Sequence, residues 1–386
     1  MFIQRTVEKS FLNLLSQYPV VVVTGPRQSG KTTLVRHACP DKPYVLLEDL
    51  DIRQFAHDDP RGFLNQYPDG AVFDEVQRCP GLLSYLQGII DTNQRPGQFV
   101  LTGSQQFGLR SNINQSLAGR VALQPLLPFS LKALDSASLV PDSLTELLWK
   151  GSYPPLYDRD YDPRVWCGNY IRTYLERDVR ELINVRDLST FQRFLRLCAG
   201  RSGQLVNLSN LAGDCGITHN TAKAWIAVLE ASYIVYLLKP HHQNFNKRLV
   251  KTPKLYFLDT GLAAWLLGIY DPDQLRSHPL YGSLFETFVV CEFLKMRWHA
   301  GLEPNLYFWR DRSGLEVDLL IDEGSKIMPV EVKSGQTVAA DFLKPIQRWQ
   351  ALAGDVTGSA RLVYGGTARQ DRTDCTVIPW RQLAEM

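Results

Sequence analysis

A glycine-rich loop stands between an apolar segment and a predicted helix near the beginning of the chain. The segment reads PVVVVTGPRQSGKTTLV, in which Gly25 and Gly30 are followed by Lys31 and Thr32. At this spacing the backbone N–H groups can point at phosphate oxygens, and only small residues allow so close an approach. The lysine can reach the β- and γ-phosphates, and the threonine hydroxyl can hold Mg²⁺. The pattern predicts a nucleotide site containing Gly25, Gly30, Lys31, Thr32 and Thr33.

Two later apolar segments end in polar residues that could complete this site. GAVFDEVQ ends in Asp74 and Glu75, and GQFVLTGS ends in Thr102, Gly103 and Ser104. In nucleoside triphosphatases an acid at a strand tip helps to hold Mg²⁺, and the next carboxylate can polarise the attacking water. The alternative is a strand that runs into a turn with two solvated acids. Strands separated by helices indicate parallel βαβ units, whose ligands lie at the carboxyl ends of the strands.

The motifs TGPRQSGKTTL, VFDEVQRCPGLL, VLTGS and LAGR together resemble those of a bacterial and archaeal group of AAA+ ATPases. The resemblance covers nearly the whole chain, and members of the group carry a C-terminal region of unknown function. It implies ATP and Mg²⁺ as ligands, with Ser104 as a sensor of the γ-phosphate. The ATP site implied by the resemblance consists of Lys31, Thr32, Asp74 and Glu75.

The role of the arginine in the LAGR motif is implied by the resemblance alone. Arg120 lies where an arginine finger would reach the nucleotide of a neighbouring subunit. The resemblance therefore implies a homo-oligomer in which Arg120, with Lys31 and Glu75, takes part in hydrolysis. The alternative is a surface arginine at the end of a helix.

A second group of residues with chemical potential lies in the stretch EVDLLIDEGSKIMPVEVKSG. Asp318 and Glu331 are thirteen positions apart on neighbouring predicted strands. Lys333 shares the face of Glu331 through the two-residue period of a strand, and Glu286 lies on the preceding predicted helix. Converging carboxylates can hold Mg²⁺, and a lysine beside a scissile phosphate can orient the attacking water.

The order α-β-β-β-α-β of this region resembles the core of PD-(D/E)XK nucleases. The resemblance implies a metal site formed by Glu286, Asp318 and Glu331, with Lys333 beside it. Glu316 shares the face of Asp318, so it is either a further ligand or a nearby surface acid. The same alternation occurs on ordinary half-exposed strands, and this scaffold is also kept for binding after activity is lost. Both cleavage and binding without cleavage stay open.

The middle stretch VNLSNLAGDCGITHNTAKAWIAVLEASYIVYLLKP has the pattern of a helix-turn-helix. Gly216 suits the tight turn, and Thr218 suits the cap of the second helix. Basic residues between the two strands that follow resemble the wing of a winged helix. The helix would approach a DNA groove and the wing would contact phosphates, unless the unit docks a protein partner instead. The candidate DNA contacts are His219, Asn220 and Lys223 on the helix, and Lys247, Arg248, Lys251 and Lys254 on the wing.

These sites require an α/β protein with four parts. The predicted parts are a P-loop AAA+ parallel-sheet domain (1–130), a helical lid or linker (131–187), a winged helix (188–274) and an α/β PD-(D/E)XK-like domain (275–386). A chain of 386 residues is long enough for several domains.

Composition excludes several classes of protein. Hydrophobic residues make up 45% and charged residues 21% of the chain, a balance typical of folded proteins. The net charge of +2 means that nucleic-acid binding needs local basic patches. The seven scattered cysteines indicate a reduced chain without structural zinc. The apolar runs are far below the roughly 18 residues of a membrane helix, so we expect a cytoplasmic protein.

Taken together, the motifs predict an ATP-hydrolysing AAA+ protein that binds and remodels DNA through its C-terminal half. Metal-dependent cleavage is a further expectation. The alternative is a nucleotide-gated signalling or defence switch that binds a protein partner and carries an inactive nuclease-like domain. A third hypothesis is an ATPase that acts on protein targets.

Overall fold

The computed structural model of the chain describes residues 2–103, 117–175, 187–241, 251–311 and 314–386. Three residues of the predicted sites, Ser104, Lys247 and Arg248, lie outside these ranges. The described ranges contain both helices and strands, and the first part alternates between them around a parallel sheet, which confirms the α/β fold class. No helix within them combines the length and the apolar character that crossing a lipid bilayer requires.

A parallel five-stranded sheet forms the first part of the described chain. The order across the sheet is β2-β3-β4-β1-β5, for β1 (Val20–Thr24), β2 (Tyr44–Leu46), β3 (Val72–Asp74), β4 (Phe99–Gly103) and β5 (Val121–Pro125). Every neighbouring pair is parallel, as the sequence predicts. Because parallel strands point the same way, the carboxyl ends of β1, β3 and β4 meet at one edge.

Helices cover both faces of this sheet. Side chains alternate across β1, so Val20 and Val22 pack into one apolar cluster while Val21 and Val23 pack into another. Burial on both faces explains why β1 reads as an uninterrupted run of valines. The helices of this part are α1 (Glu8–Leu15), α2 (Lys31–Ala38), α3 (Leu50–Asp58), α4 (Pro60–Asn65) and α5 (Leu82–Thr92).

Short helices follow in the range predicted as a lid. Each begins at a residue that favours a helix start: Ser130 and Ser143 cap the first two through their hydroxyl groups. Asp162 caps the fourth, with a proline at its first position. These helices are α6 (Leu131–Ser136), α7 (Leu144–Lys150), α8 (Pro155–Asp158) and α9 (Pro163–Tyr170).

The next segment contains the two helices of the predicted helix-turn-helix. Gly216 has a φ of 69° at the turn between them, and the Thr218 hydroxyl accepts a hydrogen bond from the N–H of Thr221 at 3.1 Å. Three short strands pair antiparallel beside these helices in the order β6-β8-β7. The elements are α10 (Leu188–Ala199), β6 (Gln204–Leu205), α11 (Leu208–Cys215), α12 (His219–Ala231), β7 (Val235–Pro240), β8 (Lys254–Phe257), α13 (Thr260–Leu266) and α14 (Pro272–Ser277).

The last part has the predicted order of elements and adds two strands. The expected elements are α15 (Tyr281–His299), β9 (Leu306–Arg310), β10 (Glu316–Asp322), β11 (Ile327–Lys333), α16 (Lys344–Ala353) and β12 (Arg361–Tyr364). β10 pairs antiparallel with β9 and β11, and β11 pairs in parallel with β12. The additional strands are β13 (Gln370–Asp371) and β14 (Thr376–Pro379), which are too short to give a clear period in the sequence.

One sheet runs through the second half of the described chain. Its order is β13-β14-β12-β11-β10-β9-β7-β8-β6, because Lys239 and Pro240 of β7 pair in parallel with Tyr307 and Phe308 of β9. The largest apolar cluster extends over the same parts and also reaches Ile3 near the N-terminus. The predicted division at 274 and 275 therefore crosses a continuous sheet, and the domain boundaries stay a prediction.

Candidate functional site

The glycine-rich loop joins the end of β1 to the start of α2. Gly25 and Gly30 both have positive φ, 154° and 94°. A Cβ atom at Gly25 would lie 2.1 Å from the carbonyl oxygen of Leu126, so a larger residue does not fit there. The buried Lys31 donates from Nζ to the carbonyl oxygens of Gly25 (3.1 Å) and Pro26 (2.8 Å). The loop thus holds an ammonium group at a helix N-terminus, where anions are favoured.

Asp74, at the tip of β3, accepts hydrogen bonds at both of its carboxylate oxygens. Oδ2 accepts from Thr32 Oγ1 at 2.7 Å and from the Tyr44 hydroxyl. Oδ1 accepts from the Thr102 hydroxyl and from the N–H of Glu75, the latter at 3.1 Å. All these donors are neutral, so they orient the carboxylate without cancelling its charge. A threonine hydroxyl in contact with a carboxylate suits Mg²⁺, which prefers oxygen ligands.

Tyr44 is a member of this site that the sequence analysis missed. Burial, together with Asp74, raises the pKa of Tyr44, so its hydroxyl stays protonated and can donate. The residue opens the short strand β2, and no motif marks it. Its proximity to Asp74 follows from the pairing of β2 with β3.

The remaining predicted residues of the nucleotide site lie around this centre. Glu75 has a φ of 58°, and its carboxylate accepts a hydrogen bond from the side-chain amide of Gln77. Thr33 is exposed on α2. Arg120 pairs with both carboxylate oxygens of Asp91 at the end of α5, with Nη2 at 3.1 Å from Oδ2. The structure therefore places Arg120 in a turn before β5, in an ion pair within its own chain.

The helices after the sheet contact the glycine-rich loop from outside. Trp166 of α9 donates from Nε1 to Oε1 of Gln28 at 3.1 Å, and the Tyr170 hydroxyl donates to the carbonyl oxygen of Arg27 at 3.4 Å. A cavity of about 480 Å³ lies between this helix and the tip of the loop. The range predicted as a lid is thus in direct contact with the nucleotide loop.

Two other parts of the chain also reach the loop. Arg5 donates to the carbonyl oxygen of Ser29 at 2.8 Å. The hydroxyl of Tyr233, from the turn after α12, is 2.6 Å from Oγ1 of Thr24 at the end of β1. The predicted helix-turn-helix region is therefore joined by a hydrogen bond to the end of β1, directly before the nucleotide loop, and no motif predicted this contact.

Carboxylates from α15, β10 and β11 converge in the second candidate site. Carboxylate oxygens of Glu286, Glu316 and Asp318 all lie within 4.8 Å of one another. Glu316, whose role the sequence left open, therefore belongs to the cluster. Lys333 donates from Nζ to Oε1 of Glu331 at 2.5 Å and lies 3.7 Å from Oδ2 of Asp318. The structure thus brings Glu286, Asp318, Glu331 and Lys333 together.

Lys254 is placed differently from the prediction. The sequence analysis put it on an exposed wing, but only 2% of its surface is exposed. Its Nζ donates to Oε1 of Glu286 at 2.9 Å and pairs with Oε1 of Glu316, and the Tyr256 hydroxyl donates to the same oxygen of Glu286 at 2.6 Å. The prediction was wrong because a run of basic residues suggests an exposed face, while the acidic partners of Lys254 lie far along the sequence.

Glu331 has an incomplete set of hydrogen bonds. Its Oε2 atom is buried and has no hydrogen-bond partner among the described residues. Burial and the negative charge of Asp318 raise the pKa of both Glu331 and Glu286. A buried carboxylate oxygen without a donor is rare, and a bound cation is one way to satisfy it.

Apart from the buried Lys254, the described residues among the predicted DNA contacts are exposed in the predicted helix-turn-helix and before β8. His219, Asn220 and Lys223 are exposed on α12, and Lys251 is exposed before β8. His219 and Lys223 line a groove of about 730 Å³ between α12 and the short strands. The rest of the groove is largely apolar and includes Leu205, Leu208, Ile226, Ala227 and Leu237, with Glu230 as an acidic member.

Three segments of the chain match models of protein families. Residues 17–134 match the AAA domain, residues 141–273 match the Domain of unknown function (DUF8612), and residues 281–383 match the Domain of unknown function (DUF4143). The first segment is therefore a P-loop ATPase domain of the AAA type, and the match supports ATP binding and hydrolysis there.

The relatives of this chain include two mycobacterial proteins. Uncharacterized protein Rv2008c of Mycobacterium tuberculosis and Uncharacterized protein Mb2031c of Mycobacterium bovis are each 32% identical to it over 330 residues, which is 84% of this chain and 72% of each relative. The chain belongs to their family. Among solved structures, the chain is similar to the Walker-type ATPase paby2304 of Pyrococcus abyssi. The similarity covers 69% of this chain and 96% of the Pyrococcus protein. The identity is 17% and the TM-score 0.47.

Proposed function

We propose that this protein hydrolyses ATP in its first domain and uses the ATP cycle to control contacts of its C-terminal half with DNA. The observation that carries the first part is the pairing of Thr32 with Asp74 at 2.7 Å beneath a loop that already holds Lys31. The C-terminal carboxylate cluster and the exposed face of α12 support the second part.

Each residue of the nucleotide site has a distinct task in this proposal. Bound ATP would supply the phosphoanhydride bond, and Mg²⁺ would neutralise charge on its phosphates. Lys31 would leave the loop carbonyls for the phosphates, while Thr32 and Asp74 would hold the metal. Glu75, held by Gln77, would orient the attacking water and accept its proton.

The carboxylate cluster would hold a divalent cation on the side of Asp318 and Glu331. The residues present fit a metal, because Glu331 Oε2 is buried and without a donor among the described residues. A bound cation would act as a Lewis acid at a scissile phosphate. Lys333 would then hold the attacking water and stabilise charge on the phosphate.

DNA binding is tested with duplex, single-stranded and branched DNA at several salt concentrations, with ATP and without it. We expect binding that weakens as salt rises and that changes when ATP is present. Lys31→Ala should bind DNA but lose the response to ATP. Absence of binding at low salt would refute the DNA part of the proposal.

Cleavage is tested on the same DNA with Mg²⁺ or Mn²⁺. The double variant Glu331→Ala/Lys333→Ala should lose cleavage. The matched control Glu323→Ala/Lys326→Ala removes the same two residue types from the exposed turn between β10 and β11 and should cleave normally. Equal cleavage by all three proteins would mean that the cluster is not the active site.

A second candidate function follows from the groove beside α12. Its lining is largely apolar and includes Glu230, which would repel DNA phosphates. We propose as the alternative a nucleotide-gated switch whose groove binds a protein segment. In that case Ile226→Asp should abolish partner capture but leave the salt-dependent binding of DNA unchanged.

A further inference from the structure

Lys254 contacts the carboxylate cluster, although it comes from another part of the sheet. It begins β8, which pairs with β6 and β7, while the carboxylates lie on α15, β10 and β11. Its Nζ lies 2.9 Å from Oε1 of Glu286 and also pairs with Oε1 of Glu316. The ammonium group therefore lies between two of the three carboxylates whose oxygens could share a cation.

Two lysines divide the cluster into two sides. Lys333 contacts Glu331 and lies near Asp318, whereas Lys254 contacts Glu286 and Glu316. The environment of the two lysines differs, since 32% of the Lys333 side chain is exposed but only 3% of that of Lys254. Lys333 can move toward solvent when a cation binds, and Lys254 has no such route within the described structure.

A second, independent observation distinguishes the two sides of the cluster. Glu331 Oε2 is buried and has no partner among the described residues. The carboxylates of Glu286 and Glu316, by contrast, both pair with Lys254, and Glu286 also accepts from Tyr256. Asp318 Oδ2 accepts from the N–H of Val332 at 2.8 Å and Glu331 Oε1 accepts from Lys333, so the one orphaned oxygen that the described residues show in the cluster is Glu331 Oε2, on the Asp318–Glu331 side.

We infer that Lys254 is an internal cation that closes the Glu286–Glu316 side of the cluster to divalent metal. A metal ion then binds only on the Asp318–Glu331 side, so the centre holds one ion and not two. This inference rests on the metal centre proposed above. It adds that Lys254 limits the number of ions that the centre can bind. A divalent ion beside this ammonium group would be repelled, because only 3% of the Lys254 side chain is exposed and solvent screens buried charges weakly.

The test counts Mn²⁺ ions bound to the full-length protein without nucleotide, by electron paramagnetic resonance of the free ion. All proteins carry Asp74→Asn, so that the nucleotide site contributes no ion. The chain with Lys254 intact should bind one Mn²⁺, and Lys254→Met should bind one more. Lys254→Met/Glu316→Gln should lose the additional ion, and Tyr256→Phe should bind one ion.

The outcomes separate this inference from the proposed metal centre. One ion both in the protein with Lys254 and in the Lys254→Met variant would refute the inference and leave the metal centre standing. No ion with Lys254 but one with Lys254→Met would uphold the exclusion of metal by Lys254 and refute the Asp318–Glu331 centre, and with it the count of one ion. No ion in either would refute both.

Folding of the variant is checked in the same proteins by thermal melting. Lys254→Met should melt at a lower temperature than the protein with Lys254 when the metal is chelated, because buried carboxylates lose their counter-ion. Mn²⁺ should restore the melting temperature if the ion takes the place of the ammonium group. A lowered melting temperature that Mn²⁺ does not raise would make Lys254 a structural partner only and refute the inference.

Discussion

The two acidic sites of this protein differ in the charge of the groups that contact their carboxylates. Among the residues that the structure describes, Asp74 accepts hydrogen bonds from neutral groups, including the hydroxyls of Thr32 and Tyr44. The carboxylates of the C-terminal cluster face ammonium groups, those of Lys254 and Lys333. Neutral donors fix the position of a carboxylate and leave its charge for an incoming ion, whereas a lysine cancels that charge in advance. Under the proposed function, a metal would reach Asp74 without displacing a charged partner, whereas a metal at the second site would take the place of a lysine contact.

The strongest test of this contrast is the lysine of the nucleotide loop. Lys31 donates to carbonyl oxygens of the glycine-rich loop, so its ammonium group lies where the phosphates of ATP are proposed to bind. We expect Lys31→Ala to lower the rate of ATP hydrolysis by roughly 10³-fold or more, since Mg²⁺ alone would then balance the charge on the β- and γ-phosphates. Phosphate release measures the effect, and Lys9→Ala, an exposed lysine on α1, is the control. Unchanged ATP hydrolysis by Lys31→Ala would refute the assignment of the nucleotide site to the glycine-rich loop.

The arginine of the LAGR motif tests whether the nucleotide site is complete within one chain. If Arg120 leaves Asp91 to reach a neighbouring nucleotide, Arg120→Ala should lower turnover by about 10³-fold. Turnover per chain of the unmodified protein should then rise with protein concentration. Arg95→Ala is the control, because Arg95 likewise pairs with an aspartate of its own chain. Unchanged turnover in Arg120→Ala would leave the Asp91 pair with a structural role.

The contact between His299 of α15 and Thr6 near the N-terminus should make the stability of the protein depend on pH. His299 ends α15, and its Nδ1 lies 2.6 Å from the Thr6 hydroxyl. Burial, followed by the charges of Arg5 and Lys295, lowers the pKa of His299 to about 3. Between pH 6.5 and about 3 the unfolded chain binds a proton here that the folded chain does not, so stability falls as pH falls through this window.

His299→Gln removes this dependence. The free energy of unfolding of the unmodified protein should fall below about pH 6.5 more steeply than that of the variant, by up to about 1.4 kcal/mol per pH unit. Denaturant titrations at about pH 7, 5.5 and 4.5 measure the difference, with His57→Gln, which is exposed on α3, as the control. Parallel curves for His299→Gln and the unmodified protein would show that His299 does not titrate in this way.

The smallest expected effects concern the exposed lysines near the groove. Lys223→Ala and Lys251→Ala should each reduce the slope of log affinity against log salt by about 1, as the loss of one phosphate contact predicts. Lys326→Ala, on the turn between β10 and β11, should leave the slope unchanged. Equal slopes in all variants would mean that Lys223 and Lys251 do not contact DNA phosphates.

Sequence reasoning reached the parts of these sites that local order determines. A glycine loop after a strand, and an acid at the end of another strand, come together because parallel strands end at one edge. Tyr44 was missed because its role depends on which strand lies next to β3. Lys254 was misplaced because the charge of a segment does not reveal whether its lysine will be buried against distant acids. Such contacts arise from tertiary packing, which short-range patterns do not encode.

The pairing of β7 with β9 has a consequence for how this chain can be divided. One family match ends at residue 273 and the next begins at residue 281. Strands from both sides of this gap nevertheless belong to one sheet, because β7 pairs with β9. A fragment that starts after residue 274 would expose the edge of β9 where Lys239 and Pro240 pair with it. Exposed strand edges recruit other strands, so such a fragment should aggregate. The segment that matches the last family model is thus not expected to fold apart from the strands before it.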